Sequence, residues 1–530
     1  MKPRGSVISR LRRVPACLAV VSLVLWPPPP AAAQRAPKPI DDYVAATLRK
    51  LGQPGVAIAV VRDGKVVFAQ GWGVRTVGQP ALVDEHTVFQ VASNTKAITA
   101  AALAMLVDDH RLGWDDPVTD HLPGFRLGGD PYVSSQLTVR DLLTHRSGLP
   151  LGAGDLLWLH ADYSSAEIVR RLRYLEPTAT FRSRYAYDNV LYVVAGEVVQ
   201  AVSGQPWAEF VQRRIFTPLG MADASTSVSS FRPGADVASP HGRVGGRMQV
   251  IPADTVDNLV AGGGVNASIA DWARWMRVQL DSGRVSGGVR VWADSQARAM
   301  WRPEIFMPID WPLPGFDALR ANFSAYGLGW RLRDYAGHKL AMHDGGLAGM
   351  LSRTVLVPDQ RLGVAVFTNA ETPAYEALAW YVLDYYLGQP RTDWTARFAA
   401  VAQHSDGADR AFEDSAAAAR RRDVGPSLSL DQLAGRYADP WYGEVSLALE
   451  GDHLVLRWSH SPALTADLEH WQFDTFRARM RERTVPDAFV TFALTPTGSV
   501  DRMTMLPVLP STDFSYDYQH LLFRPLRGTP

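Results

Sequence analysis

The feature that most constrains the fold is the position of the strand signals, which lie at both ends of a long helical region. Two strands are predicted near its start, at 55–61 and 65–69, and the tight-turn pair Asp63-Gly64 joins them as a hairpin. Strand signals return only near Tyr326, at 351–357 and at 363–368. We therefore predict that both ends of this region contribute to one sheet.

The chain is too long for one compact core, because 530 residues usually divide into two or more domains. We predict a main domain over residues 40–389 and a helical linker rich in Ala, Arg and Asp over 390–426. Short alternating segments such as 444–449 then indicate a separate β domain over 427–530. Apolar residues at 47% and charged residues at 20% are typical of globular domains and exclude a disordered chain.

Residues 1–33 have the pattern of a cleavable signal peptide. Several basic residues precede an apolar run over 14–26, and prolines and small alanines follow it. An uncleaved anchor is the alternative, but the run is shorter than the ~20 apolar residues that span a bilayer. We expect export to the periplasm or beyond the cell, with no membrane span after cleavage. The export route, by the general or the twin-arginine pathway, stays open. The sole cysteine, Cys17, lies within this leader, so the mature chain has neither disulfides nor a thiol nucleophile.

The charge balance gives no indication of a nucleic-acid partner. Lys and Arg number 54 and Asp and Glu number 54, so no net field steers the chain toward an anionic polymer. The function is therefore expected in a pocket, on a small-molecule or short-peptide substrate. The oligomeric state stays open.

Ser93 and Lys96 form the first candidate catalytic element. The chain contains only six lysines, at positions 2, 38, 50, 65, 96 and 339. Arginine cannot lose its proton, whereas a desolvated lysine can act as a general base. A helix predicted over 94–107 would place Ser93 and Lys96 on one face, with Ser93 at the N-terminus where free N–H groups stabilise an oxyanion. Taken alone, the pair also fits a serine N-cap beside a solvated lysine.

A second element lies before the helical run at 192–202. Tyr187 and Asn189 are separated by one residue on a predicted loop, so both side chains can point into one site. A phenol beside a charged lysine should have a lowered pKa and can relay a proton to a leaving group. Asn189 can orient the lysine and the substrate carbonyl. The alternative is a core tyrosine followed by a helix cap.

A third element, at 342–346, precedes the predicted strand at 351–357. Gly345 and Gly346 permit close backbone approach, so that a substrate could add as an extra strand with the Gly346 N–H as a second oxyanion donor beside the Ser93 N–H. His343 could instead be a strand-edge histidine with a local hydrogen bond.

These elements together resemble the serine β-lactamase-related superfamily, which includes class C β-lactamases, D-alanyl-D-alanine carboxypeptidases, D-aminopeptidases and esterases. The resemblance covers roughly Asp41 to Leu387. It rests on six segments, which are Ser93-Asn94-Thr95-Lys96, the stretch 142–149, Tyr187-Asp188-Asn189, the stretch 215–221, Tyr326-Gly327-Leu328-Gly329-Trp330 and His343-Asp344-Gly345. The C-terminal segment is similar to a poorly characterised barrel-like domain that is often appended to such hydrolases.

The resemblance implies an α/β (α+β) fold of the β-lactamase/transpeptidase type, with an antiparallel sheet flanked by helices and a helical region, followed by a small all-β barrel-like domain. It also implies a covalent acyl-enzyme mechanism. Carried over by motif, Ser93 is the nucleophile, Lys96 its base and Tyr187 the proton relay. Asn189 and His343 line the substrate pocket with the glycines of the third element. No cofactor and no metal are implied.

The third element departs from the family pattern, because His343 stands where β-lactamases and carboxypeptidases usually carry lysine. Histidine is largely neutral at pH 7, so a substrate carboxylate would be held less firmly. The sequence therefore favours a peptidase, amidase or esterase. A class C-like β-lactamase or a D-alanyl-D-alanine carboxypeptidase is the alternative. We also expect that the appended β domain could narrow or cover the cleft.

Other function classes find less support in the sequence. The chain has no serine in a GxSxG elbow and no HExxH zinc motif, which argues against an α/β-hydrolase and a zinc hydrolase. A penicillin-recognising binding or sensing protein is the non-enzyme alternative. Such a protein would not need the complete set of Ser93, Lys96 and Tyr187.

Overall fold

The computed structural model describes residue 1 and residues 35–285, 288–309 and 312–526. The predicted signal peptide therefore lies outside the described residues, apart from Met1. The described residues from 35 to 526 form one compact unit. Within the described residues, no helix is both long enough and apolar enough to cross a membrane.

The main domain is built on one antiparallel sheet of eight strands, in the order β2-β1-β12-β11-β10-β9-β8-β7. The two ends of the domain meet where β1 pairs with β12, as predicted. The pairs β3-β6 and β4-β5 form two small additional sheets. The strands are β1 (Gly55–Arg62), β2 (Lys65–Gly73), β3 (Val88–Gln90), β4 (His241–Val244), β5 (Arg247–Val250), β6 (Asn266–Ser268), β7 (Ile305–Phe306), β8 (Ser324–Tyr326), β9 (Arg331–Tyr335), β10 (His338–Leu347), β11 (Met350–Val357) and β12 (Leu362–Thr368).

Helices cover both faces of this sheet, and more helices form the region between β3 and β7. One long helix connects the sheet domain to the C-terminal domain. The helices are α1 (Lys38–Leu51), α2 (Thr95–Asp108), α3 (Val118–His121), α4 (Pro131–Gln136), α5 (Val139–Leu142), α6 (Ser165–Arg171), α7 (Val190–Ser203), α8 (Trp207–Val211), α9 (Thr217–Leu219), α10 (Val260–Gly263), α11 (Ile269–Leu280), α12 (Asp294–Met300), α13 (Ala374–Leu387), α14 (Trp394–Ala419) and α15 (Leu430–Leu433).

Two hydrophobic cores lie on opposite faces of the sheet. Alternate side chains of a strand point to opposite faces, and β1 divides its residues accordingly. Ala57 and Ala59 belong to the larger core, which includes the apolar residues of α2 and α11. Ile58 and Val60 belong to the second core, which includes those of α1 and α13. Helix α2 is buried along almost its whole length, so its N-terminal turn occupies a fixed position beside the sheet.

The C-terminal domain is a closed antiparallel barrel of eight strands, as the resemblance implied. Helix α14, of 26 residues, spans most of the linker predicted at 390–426. The barrel strands are β13 (Gly435–Asp439), β14 (Gly443–Glu450), β15 (His453–Trp458), β16 (Ala466–Gln472), β17 (Thr475–Met480), β18 (Ala488–Leu494), β19 (Val500–Pro507) and β20 (Leu522–Pro525).

The barrel contacts the helical region of the main domain directly. Arg171 donates from Nη1 to the carbonyl oxygen of Trp441 at 3.1 Å, and Nδ1 of His460 lies 2.6 Å from a carboxylate oxygen of Asp162. The Tyr163 ring stacks on His460 with a centroid separation of 3.9 Å. These contacts fix the barrel on the segment that also carries part of the candidate site.

One strand was not predicted. Residues 342–346 precede β11, as expected, but they also lie within a strand of their own, β10. The two adjacent glycines lower the local strand propensity, whereas pairing of Gly345 with Ser352 and of Gly346 with Leu351 on β11 keeps this segment extended.

Candidate active site

Ser93 lies in a single turn of 3-10 helix, Ala92–Asn94, that leads into α2. Ala92 has a φ of +48°, a strained conformation for a residue with a side chain. The turn is held on the sheet because Asn94 donates from Nδ2 to Oγ of Ser352 at 2.8 Å, and that hydroxyl donates to the carbonyl oxygen of Val91 at 2.8 Å. These hydrogen bonds fix the backbone that carries Ser93, which is half-buried.

Lys96 lies directly below Ser93 and is fully buried. Its Nζ lies 3.1 Å from Oγ of Ser93, 2.8 Å from Oδ1 of Asn189 and 3.0 Å from the carbonyl oxygen of Gly262. Burial lowers the pKa of Lys96 to about 7, because the charged ammonium is poorly solvated there. A sizeable neutral fraction at pH 7 lets the amine accept the Ser93 proton. The solvated-lysine alternative is therefore wrong.

Asn189 links the lysine to a buried carboxylate. Its Nδ2 donates to Oδ2 of Asp155 at 2.8 Å, while Trp158 donates from Nε1 to the other oxygen of Asp155 at 2.8 Å. Burial raises the pKa of Asp155 to about 7. With Nδ2 committed to Asp155, the amide oxygen of Asn189 must face the lysine, which fixes where Nζ can lie.

Tyr187 occupies the other side of the lysine. Lys96 Nζ lies 4.9 Å from the centroid of the Tyr187 ring, and the phenol lies beside the Ser93 side chain. The His145 ring stacks on the tyrosine at 4.3 Å. We expected the lysine to lower the pKa of this phenol, and that expectation is wrong in direction: burial raises the pKa of Tyr187, because the phenolate would be desolvated. The phenol therefore keeps its proton at pH 7.

The second half of β10 faces the turn that carries Ser93. A Cβ on Gly345 would lie 2.2 Å from the carbonyl oxygen of Val91 and 2.5 Å from Oγ of Ser352, so only glycine fits. Strand β9 pairs with β10 no further than Met342. Residues 343–347 therefore have no strand partner within the described residues on the side that faces away from β11. Gly346 is exposed on this edge. An extended substrate could add here as a strand, as predicted.

His343 is buried and is engaged by its own protein through both ring nitrogens. Nδ1 lies 2.6 Å from the carbonyl oxygen of Asp344, so it carries the proton, and Nε2 accepts from the hydroxyl of Tyr326 at 2.8 Å. Burial lowers the pKa of His343 to about 3, with smaller contributions from Arg331 and Lys96. The imidazole is neutral at pH 7, as the sequence analysis expected, but neither ring nitrogen is free to receive a substrate carboxylate.

The structure adds site residues that the sequence analysis did not single out for a role. Asp155 and His145 have the contacts described above, and Arg331 lies near Tyr185, which is two residues before Tyr187. Phe514 of the barrel packs edge-on against Tyr187, with ring centroids 5.8 Å apart. Only His145 and Arg331 had a local signal, since both lie in or next to the motifs of the resemblance. No local sequence signal indicates that residue 155 or residue 514 lies close to the segment that carries Tyr187.

Comparison with known proteins assigns a family description to each domain. The family model described as Beta-lactamase matches residues 40–387. A domain of unknown function, DUF3471, matches residues 419–525, which include the barrel.

Individual relatives and solved structures agree with this division. An unguisins hydrolase, ungD, of Aspergillus violaceofuscus is 28% identical over 503 residues, which cover 86% of this chain and 85% of that protein. Penicillin-binding protein 4 of Amycolatopsis lactamdurans is 31% identical over 325 residues, covering 60% of this chain and 81% of that one. The octameric penicillin-binding protein homologue of Pyrococcus abyssi superposes with a TM-score of 0.59 at 22% identity, over 89% of this chain and 98% of the other. A D-stereospecific amidohydrolase from a Streptomyces species superposes with a TM-score of 0.51 at 23% identity, over 64% and 95% of the two chains.

Proposed function

The chain belongs to the serine β-lactamase-related family of hydrolases, and on that premise we propose that it is an exported enzyme that forms a covalent acyl-enzyme at Ser93. Its expected location is the periplasm or the exterior of the cell, from the signal-like pattern of residues 1–33. Its reaction is the hydrolysis of an amide or ester bond in a small acyl substrate or short peptide.

The observation that carries this proposal is the buried contact between Lys96 and Ser93. The amine lies 3.1 Å from the hydroxyl, and burial lowers its pKa to about 7. A serine hydroxyl is a weak nucleophile until a neighbouring base can take its proton. No structural role explains a fully buried lysine whose partners are a serine hydroxyl, an amide oxygen and a carbonyl oxygen.

The proposed reaction is an acyl transfer to Ser93 that is followed by hydrolysis of the acyl-enzyme. Neutral Lys96 takes the proton of Ser93 as Oγ bonds to the substrate carbonyl carbon. The N–H groups of Ser93 and Gly346 are proposed to stabilise the resulting oxyanion. Tyr187, which keeps its proton at pH 7, gives that proton to the leaving amine or alcohol as its bond to carbon breaks. The lysine ammonium returns a proton to the phenolate, and water then hydrolyses the ester on Ser93.

The substrate class follows from the residues around β10. His343 is neutral and committed to Tyr326 and Asp344, so it supplies no positive charge to a substrate carboxylate. We therefore favour uncharged amide or ester substrates over penicillins and over peptides that are recognised by a terminal carboxylate. The name of the amidohydrolase supports an amide bond as the target, and that of the unguisins hydrolase supports hydrolysis.

A fluorophosphonate probe tests the nucleophile. Mass spectrometry should find one adduct, on the peptide that contains Ser93, and Ser93→Ala should abolish it. Lys96→Arg keeps the positive charge but cannot accept a proton, so we expect labelling to slow by about a hundredfold or more. An adduct on another residue, or labelling of Lys96→Arg at the normal rate, would contradict the proposal.

A substrate panel separates the reaction classes. Wild-type protein should hydrolyse p-nitrophenyl esters or D-amino-acid amides with a higher kcat/KM than nitrocefin. A preference for nitrocefin would instead indicate a β-lactamase. Stoichiometric acylation without turnover would indicate a penicillin-recognising sensor.

A further inference from the structure

The loop between β19 and β20, residues 508–521, reaches from the barrel into the main domain. Asp517 is fully buried, and one of its carboxylate oxygens accepts the backbone N–H of Gly154 at 2.5 Å. Its other oxygen hydrogen-bonds His520 within the same loop. The hydroxyl of Tyr516 lies 3.1 Å from Nε2 of His160. We call residues 508–521 the barrel loop; polar contacts hold it in place on the 152–160 segment.

Phe514 of the barrel loop contacts Tyr187, one of the proposed catalytic groups. Its ring meets the Tyr187 ring edge-to-face, with centroids 5.8 Å apart and an interplanar angle of 78°. The ring is partly exposed, in contrast to the buried Ser515 that follows it. The Phe514 side chain is therefore covered in part by Tyr187, and the part that stays accessible lies beside that tyrosine.

The backbone around Phe514 fixes this position closely. A Cβ on Gly152 would lie 2.6 Å from the carbonyl oxygen of Phe514 and 2.8 Å from its ring, so a glycine is required there. The N–H of Gly152 in turn donates to the carbonyl oxygen of Tyr187 at 2.9 Å. The main chain of Gly152 therefore contacts the main chains of both Phe514 and Tyr187, so a displacement of one would displace the others.

We propose that Phe514 is a specificity-determining residue: with Tyr187 it forms an apolar surface that receives the non-polar side group of the acyl substrate next to Ser93. The inference rests on the proposed hydrolase function. It means that the active site is shared between the two domains, since the main domain alone would lack this wall. A substrate with a bulky apolar acyl group gains contact with the ring, whereas an acetyl group does not reach it.

The test compares two esters with the same leaving group, p-nitrophenyl phenylacetate and p-nitrophenyl acetate, on the full-length chain. In Phe514→Ala the ratio of their kcat/KM values should fall about tenfold, because an apolar contact to one substrate only is lost. Phe514→Leu keeps part of the apolar bulk and should lower the ratio by about threefold. The matched control is Leu506→Ala, which removes an exposed apolar side chain from the adjacent strand β19 and should leave the ratio unchanged.

Circular dichroism and fluorophosphonate labelling show whether each variant is folded and keeps a reactive Ser93. An unchanged ratio in a folded Phe514→Ala overturns the inference. If that variant does not fold, an unchanged ratio in Phe514→Leu overturns it equally. An equal fall in Leu506→Ala would also overturn it, because the effect would then come from the barrel as a whole. A wild-type chain that neither reacts with the probe nor hydrolyses either ester would refute the proposed function itself.

Discussion

At the scale of single residues, the buried carboxyl groups around Lys96 influence the pH at which the proposed base can act. Asp155 and Asp188 are both fully buried, and each raises the pKa of Lys96 against the larger lowering that burial causes. Asp155 is joined to the lysine through Asn189, whose amide bonds both groups at 2.8 Å. The lysine pKa of about 7 is thus the balance between desolvation and two nearby carboxylates.

This balance predicts the pH dependence of hydrolysis. A base must be unprotonated to act, so kcat/KM should rise with pH through about 7 and level off above it. Asp155→Asn removes a carboxyl group whose ionised form favours the ammonium, so the rising limb should move to lower pH, by up to about one unit. Asp130→Asn changes an exposed carboxylate and should leave the limb in place. A limb that stays fixed in Asp155→Asn, or moves to higher pH, would contradict this account.

The residue scale is also where sequence reasoning was least complete. The nearness of Ser93, Lys96, Tyr187 and Asn189 was predictable, because two short motifs carry all four residues. The protonation of Tyr187 was predicted with the wrong sign, because the amount of solvent that the surrounding aromatic rings exclude cannot be read from spacing. Phe514 was not predictable, since more than three hundred residues separate it from Tyr187.

At the scale of elements, the candidate site depends on how closely the turn that carries Ser93 approaches β10. The turn is fixed to the sheet by the Asn94–Ser352 hydrogen bond, and it passes so near Gly345 that a side chain there would overlap the carbonyl oxygen of Val91. Gly346 is different, because a Cβ there would meet only the flexible end of Leu351, at 3.3 Å. The two adjacent glycines therefore tolerate substitution unequally.

Alanine substitutions at these glycines test the difference. Gly345→Ala should destabilise the fold by about 1–3 kcal/mol, because the added methyl forces backbone shifts in a packed region. Gly346→Ala should lower Tm much less. Thermal denaturation followed by circular dichroism gives both values. Equal losses of Tm in the two variants would show that the close approach at Gly345 does not limit the structure.

The elements themselves were largely predictable, and the exceptions have physical causes. Helices α2 and α7 and strands β1, β11 and β12 lie within one to three residues of their predicted bounds, because their periodic apolar patterns are local. The second half of β10 was not predicted as strand, because its glycines carry no side-chain pattern and only pairing with β11 makes it one. Closure of the barrel depends on pairing between β13 and β20, about ninety residues apart.

At the scale of the whole molecule, the two domains behave as one body in the described residues. Asp517 bonds Gly154, Arg171 bonds Trp441, and His460 pairs with Asp162, so contacts cross the interface at several separate points. Because Asp517 is buried, removing its carboxylate would leave the Gly154 N–H without its partner. The interface should therefore couple the unfolding of the domains.

Calorimetry of the full-length chain tests that coupling. We expect one endotherm for the wild type, and a lower Tm in Asp517→Ala, whose lost buried hydrogen bond costs about 1–3 kcal/mol. Asp501→Ala removes a more exposed carboxylate of the same barrel and should have a smaller effect. Two well-separated endotherms in the wild type would mean that the barrel and the main domain unfold independently.

The close contact between Phe514 and Gly152 limits which barrel domains could replace the one in this chain. Any residue larger than glycine at position 152 would push the barrel loop away from Tyr187. A barrel taken from a related hydrolase would therefore need a loop that fits this glycine, and a main domain given a foreign barrel would lose one wall of its pocket. The barrel is thus not an interchangeable module, and exchanging it between relatives should change which substrates are hydrolysed.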